Sequence, residues 1–297
     1  MVSVVHPEFV PDPSLSRDEM EALQRRIADA ALFEDDLGFD PAAVGAGVGR
    51  GPEGSTDRGS DPGATEGFDR SDEWGGPDSR SEDAARPETD DAAPVVVGVD
   101  QAFLDDWAVS AVVALRGGEV IERAHAVADL SIPYIPGLLS FREGGSILAA
   151  FEELSVDPDL ALFDGSGRIH FRAAGLATHL GVTLDLPSVG VAKSLLCGSL
   201  RRSVDGGLPV GQRVPIEADG SVEYGAGPGE VIGYAVQTRQ FDSPNRHVNP
   251  VYVSPGHRLS EETAADLALA CAGGYKLPEP VRLADQYAGE VKGKVSG

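Results

Sequence analysis

The chain has 297 residues, and its 48 acidic against 24 basic residues give a formal net charge of −24. This length suits one sizeable domain or two small ones, and the apolar runs are too short to cross a membrane. The N-terminus shows no basic segment followed by an apolar run, so we expect no signal peptide. Cys197 and Cys271 fit neither a disulfide framework nor a metal motif, which predicts two buried thiols in a cytoplasmic protein.

The acidic excess has two interpretations. An acidic protein can be one that avoids nucleic acid, or one from a salt-rich cytoplasm in which acidic surfaces keep proteins soluble. Lysine is scarcer than arginine and only 6% of the residues are aromatic, which favours the salt-adapted, halophilic interpretation. At about 1 M salt the Debye length is only about 3 Å, so under that interpretation the net charge says little about partners.

The first part of the chain divides by composition. Residues 14–33 carry apolar positions at helical spacing, with acidic residues early and arginines later, which predicts a helix. We expect this N-terminal segment, 1–43, to pack on the core. Residues 44–93 are mostly Gly, Pro, Ser and acidic residues. They cannot bury enough apolar area to offset their ordering entropy, so we predict a disordered acidic insert.

The folded core is expected over 94–297, where short apolar runs alternate with helical patterns. We predict strands at 95–100, 108–115, 120–130, 160–164, 188–192, 231–238 and 250–254, and helices at 140–154, 171–183, 260–272 and 280–292. Short connections make the first three strands an antiparallel meander and the last two a hairpin. The order of elements therefore predicts an α/β fold, a mixed sheet of antiparallel and parallel strands with helices on both faces.

Two carboxylates end predicted strands. Asp100 ends the first strand and Asp164 ends the fourth. In a meander followed by a crossover helix these strands can be neighbours, which would bring both side chains to one edge of the sheet. Two close carboxylates repel unless a cation lies between them, and their oxygens suit Mg²⁺ or Mn²⁺. For either aspartate alone, a simple turn residue is the more economical interpretation.

Glu143 has two interpretations that do not exclude each other. Ser140 and Glu143 form the S-x-x-E spacing of a capping box before an apolar helix. A third carboxylate at the start of the crossover helix could also reach the edge that carries Asp100 and Asp164.

Several polar residues are weaker candidates when taken singly. Gly165 and Gly167 follow a strand, but His170 stands where a dinucleotide fingerprint requires its third glycine, so that fingerprint fails. Lys193 follows the fifth strand, and His257 precedes a helix. A structural role is the simpler interpretation for each of these two.

A stiff apolar loop precedes the helix predicted at 140–154. Pro133 and Pro136 enclose Tyr134 and Ile135. Two prolines limit backbone freedom, so the loop would lose little entropy on binding a partner. Tyr134 either packs on the core of the protein or offers its ring for stacking on a base.

These features together resemble the endonuclease V family, deoxyinosine-directed nucleases with a ribonuclease H-like core. The resemblance covers the N-terminal helix and nearly everything after Pro94, but it skips the insert. The matching segments are 97–100 (VGVD), 133–144 (PYIPGLLSFREG), 164–172 (DGSGRIHFR), 186–194 (LPSVGVAKS), 253–260 (VSPGHRLS) and 278–287 (PEPVRLADQY).

The resemblance implies roles for the matching residues. Asp100, Glu143 and Asp164 would be catalytic carboxylates that hold the metal. Lys193 would face the phosphate, and His257 would lie beside a second metal or the attacked phosphate.

The resemblance also implies a substrate-binding set. Tyr134 would lead a wedge into the duplex, Gly137 and Leu139 would form the pocket for the flipped base, and His170 would lie at its edge. The complete set is Pro133, Tyr134, Ile135, Pro136, Gly137, Leu139, Gly165 and His170. Residues 169–172 (IHFR) depart from the family's AHPR, and residues 239–250 lengthen the last hairpin.

The activity implied is that of a metal-dependent endonuclease, with Mg²⁺ or a substituting Mn²⁺, that initiates DNA repair. It would recognise hypoxanthine in DNA and cleave one bond beyond the nearest on the 3′ side, leaving a 5′-phosphate and a 3′-hydroxyl. We expect a cytoplasmic monomer without membrane contact.

Three alternatives remain open: a ribonuclease acting on inosine in RNA, a non-catalytic binder of inosine-containing nucleic acid, and an ATP-binding protein with the same core topology. The intact carboxylate set argues against the binder. The lack of phosphate-binding glycine loops after the first strand argues against the ATP-binding protein.

Overall fold

The computed structural model of the protein describes residues 2–45, 93–104, 107–130, 132–242 and 246–296. The strands are β1 (Val95–Leu104), β2 (Trp107–Arg116), β3 (Glu119–Asp129), β4 (Leu160–Asp164), β5 (Ser188–Ala192), β6 (Ser199–Leu200), β7 (Arg213–Glu217), β8 (Val231–Val236) and β9 (Val251–His257). The helices are α1 (Arg17–Ala30), α2 (Leu139–Glu152), α3 (Leu176–Leu184), α4 (Glu261–Ala270) and α5 (Glu279–Val295). Each of these helices is too short or too polar to span a bilayer.

The strands form one nine-stranded sheet in the order β3-β2-β1-β4-β5-β9-β8-β7-β6. β1, β2 and β3 are an antiparallel meander, whereas β1, β4 and β5 run parallel. β9 pairs antiparallel with both β5 and β8. The predicted mixed sheet, the contact of the first strand with the fourth and the final hairpin are therefore confirmed.

Strands β6 and β7 were not predicted from the sequence. β6 has only two residues, and β7 contains Pro215 between charged ends, so neither shows an apolar run. The helix predicted from residue 171 begins only at Leu176. The preceding segment stays irregular: Ala173 has a φ of 48°, and Gly175 approaches the Ser166 carbonyl so closely that a Cβ would lie 2.3 Å from its oxygen.

The alternation of β1 decides which helix lies on which face. Val95, Val97 and Val99 pack with α2 and α3, while Val96 packs with residues of α4 and α5. Gly98 belongs to the second set, and a Cβ there would lie 1.9 Å from the Pro280 carbonyl oxygen. The missing side chain therefore allows the first turn of α5 to rest directly on β1. Asp100, two residues further on, points to the same face.

The N-terminal helix α1 packs on the core. Ser16 and Glu19 form a capping box at its start. Its apolar stripe of Met20, Leu23 and Ile27 joins a cluster that includes residues of α2 and α3. This segment therefore forms part of the core at its α2–α3 side.

Most of the predicted insert, residues 46–92, lies outside the described residues. Its first two residues, Val44 and Gly45, are described, and Val44 is buried in the cluster beneath α4 and α5. The ordered N-terminal segment therefore continues to Gly45.

The predicted capping box at Ser140 and Glu143 is wrong. α2 begins at Leu139, and its N-cap residue, Leu138, makes no side-chain capping bond. Ser140 lies inside the helix, and its hydroxyl oxygen is 2.8 Å from His179 Nδ1. His179 Nε2 donates to the Phe9 carbonyl at 2.7 Å, so Nδ1 carries no proton and accepts from Ser140. This buried imidazole joins α2, α3 and the N-terminal segment.

The contact between α5 and β1 generates the first prediction. In Gly98→Ala, the new Cβ forces backbone apart from backbone, so we expect a loss of about 2–3 kcal/mol in the free energy of unfolding. Denaturant titration measures it. Gly289→Ala, also in α5, meets nothing within 4 Å and should raise stability by about 0.5–1 kcal/mol. Equal stabilities for the two variants would contradict this packing.

The second prediction concerns acid. Burial lowers the pKa of His179 to about 4, whereas an unfolded histidine titrates near 6.5. Between these values the unfolded chain binds the proton and the folded chain does not, so stability is retained above pH 6.5 and declines as pH falls. The slope from this one group is about 1.4 kcal/mol per pH unit. His179→Gln should reduce the slope of unfolding free energy by about that amount between pH 4 and 6.5; an unchanged slope would contradict a neutral buried imidazole.

Candidate active site

A cavity of about 560 Å³ lies at the edge of the sheet where β4 and β5 end. Its wall includes four acidic residues and one lysine: Asp100, Glu143, Asp164, Asp285 and Lys193. β1 continues to Leu104, so Asp100 lies within the strand rather than at its end as the sequence suggested. Val99 pairs with Phe163 in parallel register, which nevertheless brings Asp100 next to Asp164. The predicted meeting of the two aspartates at one edge is confirmed.

Asp100 is a buried carboxylate with one unsatisfied oxygen. Oδ1 accepts a hydrogen bond from the backbone N–H of Gln101 at 2.6 Å. Oδ2 has no hydrogen-bond partner among the described residues. Burial, with the nearby charge of Asp164, raises the pKa of Asp100 to about 8. An unsatisfied oxygen in this position favours a bound cation, because a cation would offset both the burial and the repulsion.

Asp164 is paired with Lys193. The lysine Nζ donates to Asp164 Oδ2 at 2.6 Å, and half of the lysine side chain is exposed. Burial acts to lower the pKa of Lys193, but the carboxylates of Asp164, Asp100 and Asp285 hold it above its ordinary value. Lys193 is therefore a fixed positive charge at the mouth of the cavity.

Glu143 enters the cavity from α2, on the opposite face of the sheet from α5. Its side chain is only 5% exposed, and burial raises its pKa to about 8 against the opposing charge of Arg142. Within the described residues, no three acidic, histidine or cysteine side chains stand in ready-made metal-binding geometry. Mg²⁺ commonly takes one or two carboxylates and completes its shell with water and phosphate. Asp100 and Asp164 fit that donor set.

Asp285 is a site residue that the sequence reasoning missed. It is an exposed residue of α5, lines the cavity, and its charge acts on both Asp100 and Lys193. The matching segment 278–287 contains it. Asp285 reaches the cavity because α5 packs directly on Gly98. This long-range contact cannot be predicted from the residues around Asp285.

The structure places His257 away from the cavity, not beside the carboxylates as the resemblance implied. β9 runs antiparallel to β5, and His257 pairs with Ser188, whereas Asp164 is level with Val191. Three residues along a strand separate these levels, roughly 10 Å, toward the opposite edge of the sheet. His257 Nδ1 accepts from the backbone N–H of Leu32 at 3.2 Å, and its Nε2 lies 3.2 Å from an oxygen of Asp185. Both ring nitrogens therefore have structural partners away from the cavity.

The loop that carries Tyr134 is anchored by its aliphatic residues and free at its ring. Ile132 and Ile135 pack against the cluster beneath α1. Tyr134 is 66% exposed at the rim of the cavity, so it is not an aromatic packed on the protein's own core. Of the remaining predicted substrate-binding residues, Gly137, Leu139, Gly165 and His170 line the cavity, while Pro133 and Pro136 are exposed beside it.

The carbonyl of Gly137 holds this loop in place. Gly137 has a φ of 81°, and its carbonyl accepts from Gln24 Nε2 at 2.7 Å and from His170 Nε2 at 3.1 Å. Arg172 donates its backbone N–H to His170 Nδ1 and its Nε to Gln24 Oε1, at 3.1 and 2.7 Å. His170 is thus an internal support of the loop. Gln24, from α1, is a second cavity residue that the sequence reasoning missed.

Comparison with known proteins agrees with this architecture. The Endonuclease V family profile matches residues 80–286. Endonuclease V of Haloarcula marismortui is 58% identical over 294 residues, which cover 99% of each chain.

Solved structures show the same fold. The endonuclease V of Streptomyces avermitilis is 28% identical with a TM-score of 0.66, over 99% of this chain and 100% of that one. Endonuclease V of Ciona intestinalis, solved in complex with a 24mer DNA containing an inosine followed by a ribo-adenosine, is 28% identical with a TM-score of 0.54, over 68% of this chain and 87% of that one. The fold is ribonuclease H-like, as predicted. The chain belongs to the endonuclease V family and is a nuclease.

Proposed function

We propose that this nuclease recognises hypoxanthine in DNA and cleaves the strand one bond beyond the nearest on the 3′ side of the lesion. The observation that supports this most directly is one cavity with two kinds of wall: paired carboxylates on one side and an exposed, anchored Tyr134 on the other. The inosine-containing DNA bound by the Ciona relative points to the same class of substrate. The reaction would be the first step of DNA repair in the cytoplasm. The enzyme would act as a monomer, with residues 94–297 as its catalytic domain.

Asp100 and Asp164 are the residues proposed to hold a divalent cation, Mg²⁺ or a substituting Mn²⁺, with Glu143 or Asp285 as a further acidic ligand. Such an ion, when bound, supplies an acidified water and stabilises negative charge on the phosphate. Asp100 contributes its unsatisfied buried oxygen. Asp285 approaches from the α5 face and Glu143 from the α2 face, so the two flank the aspartate pair.

Lys193 is proposed to orient the scissile phosphate. Its Nζ is held at 2.6 Å by Asp164, which fixes its position before substrate arrives. A cation held in this way offsets the charge that develops on the phosphate during in-line attack, at no cost of reorganisation. The products would carry a 5′-phosphate and a 3′-hydroxyl.

The loop at Tyr134 is proposed to open the duplex. Extruding a base costs a few kcal/mol, and less at a mismatch such as inosine opposite thymine. Stacking of Tyr134 on the neighbouring base can offset that cost by about 1–3 kcal/mol. The flipped base would enter the cavity between Gly137, Leu139 and His170, where the hydrogen bond from His170 to the Gly137 carbonyl holds the wall in place.

The same site supports a second candidate, a ribonuclease acting on inosine in RNA. The test is nicking of matched DNA and RNA oligomers, each with one inosine, in high salt with and without Mg²⁺. Mg²⁺-dependent cleavage at the second bond 3′ of inosine in DNA supports the proposal. Cleavage of the RNA alone supports the ribonuclease. Binding of either oligomer without cleavage would instead support the alternative of a non-catalytic binder.

Asp164→Asn tests the carboxylate pair. The change removes a charge and hardly alters volume, so we expect most nicking to disappear while the melting temperature and the binding of inosine DNA persist. Asp266→Asn is the matched control, since Asp266 is also a carboxylate paired with a cation, Arg213, at 2.7 Å. It should retain full activity. Near-normal turnover of Asp164→Asn in Mg²⁺ would show that Asp164 is not a ligand of the catalytic metal ion.

Tyr134→Ala tests the wedge. Loss of stacking should weaken the binding of an inosine duplex by about 1–3 kcal/mol, or roughly 5- to 150-fold. Tyr134→Phe keeps the ring and should stay close to the unsubstituted protein. Because the side chain is exposed, neither change should alter thermal stability. Equal affinities for the alanine and phenylalanine variants would show that the ring takes no part.

A further inference from the structure

The loop that joins β8 to β9 lies at the same edge of the sheet as the candidate active site. β8 runs antiparallel to β9, which runs antiparallel to β5, so β8 and β5 end at the same edge. The paired registers place Val236, the last residue of β8, level with the position just after Ala192, where Lys193 stands. Two strand spacings, roughly 10 Å, separate β8 from β5. The resemblance to the family implied that residues 239–250 lengthen this hairpin.

The described part of the loop presents two arginines around one aromatic ring. The guanidinium carbons of Arg239 and Arg246 lie 5.3 and 4.3 Å from the ring centroid of Phe241. Neither arginine forms an ion pair with a described carboxylate. The loop's own carboxylate, Asp242, is exposed. Two guanidinium groups therefore contact the same ring without a described carboxylate ion-paired to either, although the chain has a net charge of −24.

The loop is held in place by two glutamines. Gln237 is fully buried, and its Nε2 donates to the carbonyls of Arg239 and Val248 at 2.5 and 2.8 Å. Gln240 Oε1 accepts from the backbone N–H groups of Phe241 and Val248 at 3.0 and 2.8 Å. These hydrogen bonds hold the backbone at Arg239, Phe241 and Val248 relative to the sheet edge.

A lysine from a different part of the chain joins this loop. Thr238 Oγ1 donates to the backbone carbonyl of Lys276 at 2.5 Å, which places Lys276 beside the end of β8. Lys276 is half-buried and has no ion pair with a described carboxylate. Burial and the charge of Lys193 lower its pKa, which agrees with two cations close together. The chain has only four lysines, and two of them, Lys193 and Lys276, stand at this edge.

We propose that Arg239, Arg246 and Lys276, with the ring of Phe241, form a binding surface for the phosphate backbone of the substrate strand where it leaves the cavity on the β8 side. This inference rests on the proposed function. Arginine matches phosphate geometry, and positive charge with an interleaved aromatic ring is the combination that single strands bind. Continuity with Lys193 along one sheet edge favours the substrate strand over an unrelated acidic partner. A span of roughly 10 Å corresponds to about three nucleotides.

The experiment compares two double variants that remove the same charge. Arg239→Gln with Arg246→Gln removes two cations of the proposed surface, and Lys292→Gln with Lys294→Gln removes two from the last turn of α5. Affinity for a labelled inosine oligomer is measured in EDTA, so that the strand is not cut, between about 0.3 and 1 M KCl. Each lost phosphate contact should make the slope of log affinity against log salt shallower by about 0.7–0.9.

The loop variant should therefore lose about 5- to 9-fold more affinity at about 0.3 M than at about 1 M KCl, relative to the unsubstituted protein. The α5 variant should keep the slope of the unsubstituted protein. Adding Lys276→Gln to the loop variant should make the slope shallower by about a further 0.7–0.9, as expected for one more lost phosphate contact. Arg239→Lys with Arg246→Lys retains charge and should restore the slope, which separates charge from any disturbance of the loop; melting curves of all variants check folding.

Oligomer length supplies the second readout. The difference between the unsubstituted protein and the loop variant should vanish when the oligomer ends within about three nucleotides on one side of the inosine, and persist when the other side is shortened. Equal slopes for the loop and α5 variants, or a loss independent of oligomer length, would overturn the proposal. Nicking by the unsubstituted protein keeps the two questions apart. If it nicks inosine DNA and the slopes are equal, only the binding surface is wrong; if it does not nick, the proposed function is wrong.

Discussion

The repulsion between Asp100 and Asp164 is the constraint on which the rest of the site depends. Parallel pairing of β1 with β4 brings the two carboxylates together, and burial leaves one oxygen of Asp100 without a partner. A folded protein tolerates such an arrangement only when something offsets the charge. Lys193 does so from one side at 2.6 Å, while burial and the charge of Asp164 raise the pKa of Asp100 to about 8. A cation bound between the two carboxylates would relieve this repulsion, and this relief would contribute to the affinity for the cation and for a phosphate that contacts it.

The rigidity of the surroundings makes that arrangement useful. Gly98 lets α5 lie on β1, so that the helix bearing Asp285 has a fixed distance from the aspartate pair. On the other side, one carbonyl, that of Gly137, collects hydrogen bonds from Gln24 and His170. Arg172 is buried and braces both of these donors, so it supports the loop at Tyr134 and does not offer its charge to a ligand. Helix α1, which is distant in sequence, thereby forms part of the cavity wall through Gln24.

Charge is distributed against the general acidity of the chain. A nuclease of net charge −24 cannot attract DNA by its overall field, and at high salt only contacts within a few ångströms retain electrostatic strength. Arg239, Arg246 and Lys276 form no ion pair with a described carboxylate, and they lie along one sheet edge. A few cations placed near the cavity can therefore attract the phosphate backbone, as overall positive charge does in less acidic nucleic-acid-binding proteins. At high salt only such short-range contacts contribute.

Elements whose signals are local could be predicted from the sequence alone. The alternating apolar residues of β1, the strand that ends at Asp164 and the two prolines around Tyr134 are patterns between neighbours in the chain, and they predicted the mixed sheet, the meeting of the aspartates and the stiffness of the loop. The other residues of the site are identified by tertiary contacts that the sequence does not reveal. Asp285 and Gln24 reach the cavity across contacts of more than 100 residues in sequence, His257 is carried to the opposite edge by the antiparallel direction of β9, and Ser140 binds His179 rather than capping α2. These outcomes depend on strand order, strand direction and helix packing, which arise from the burial of many side chains together and leave no signature in the few residues around each position.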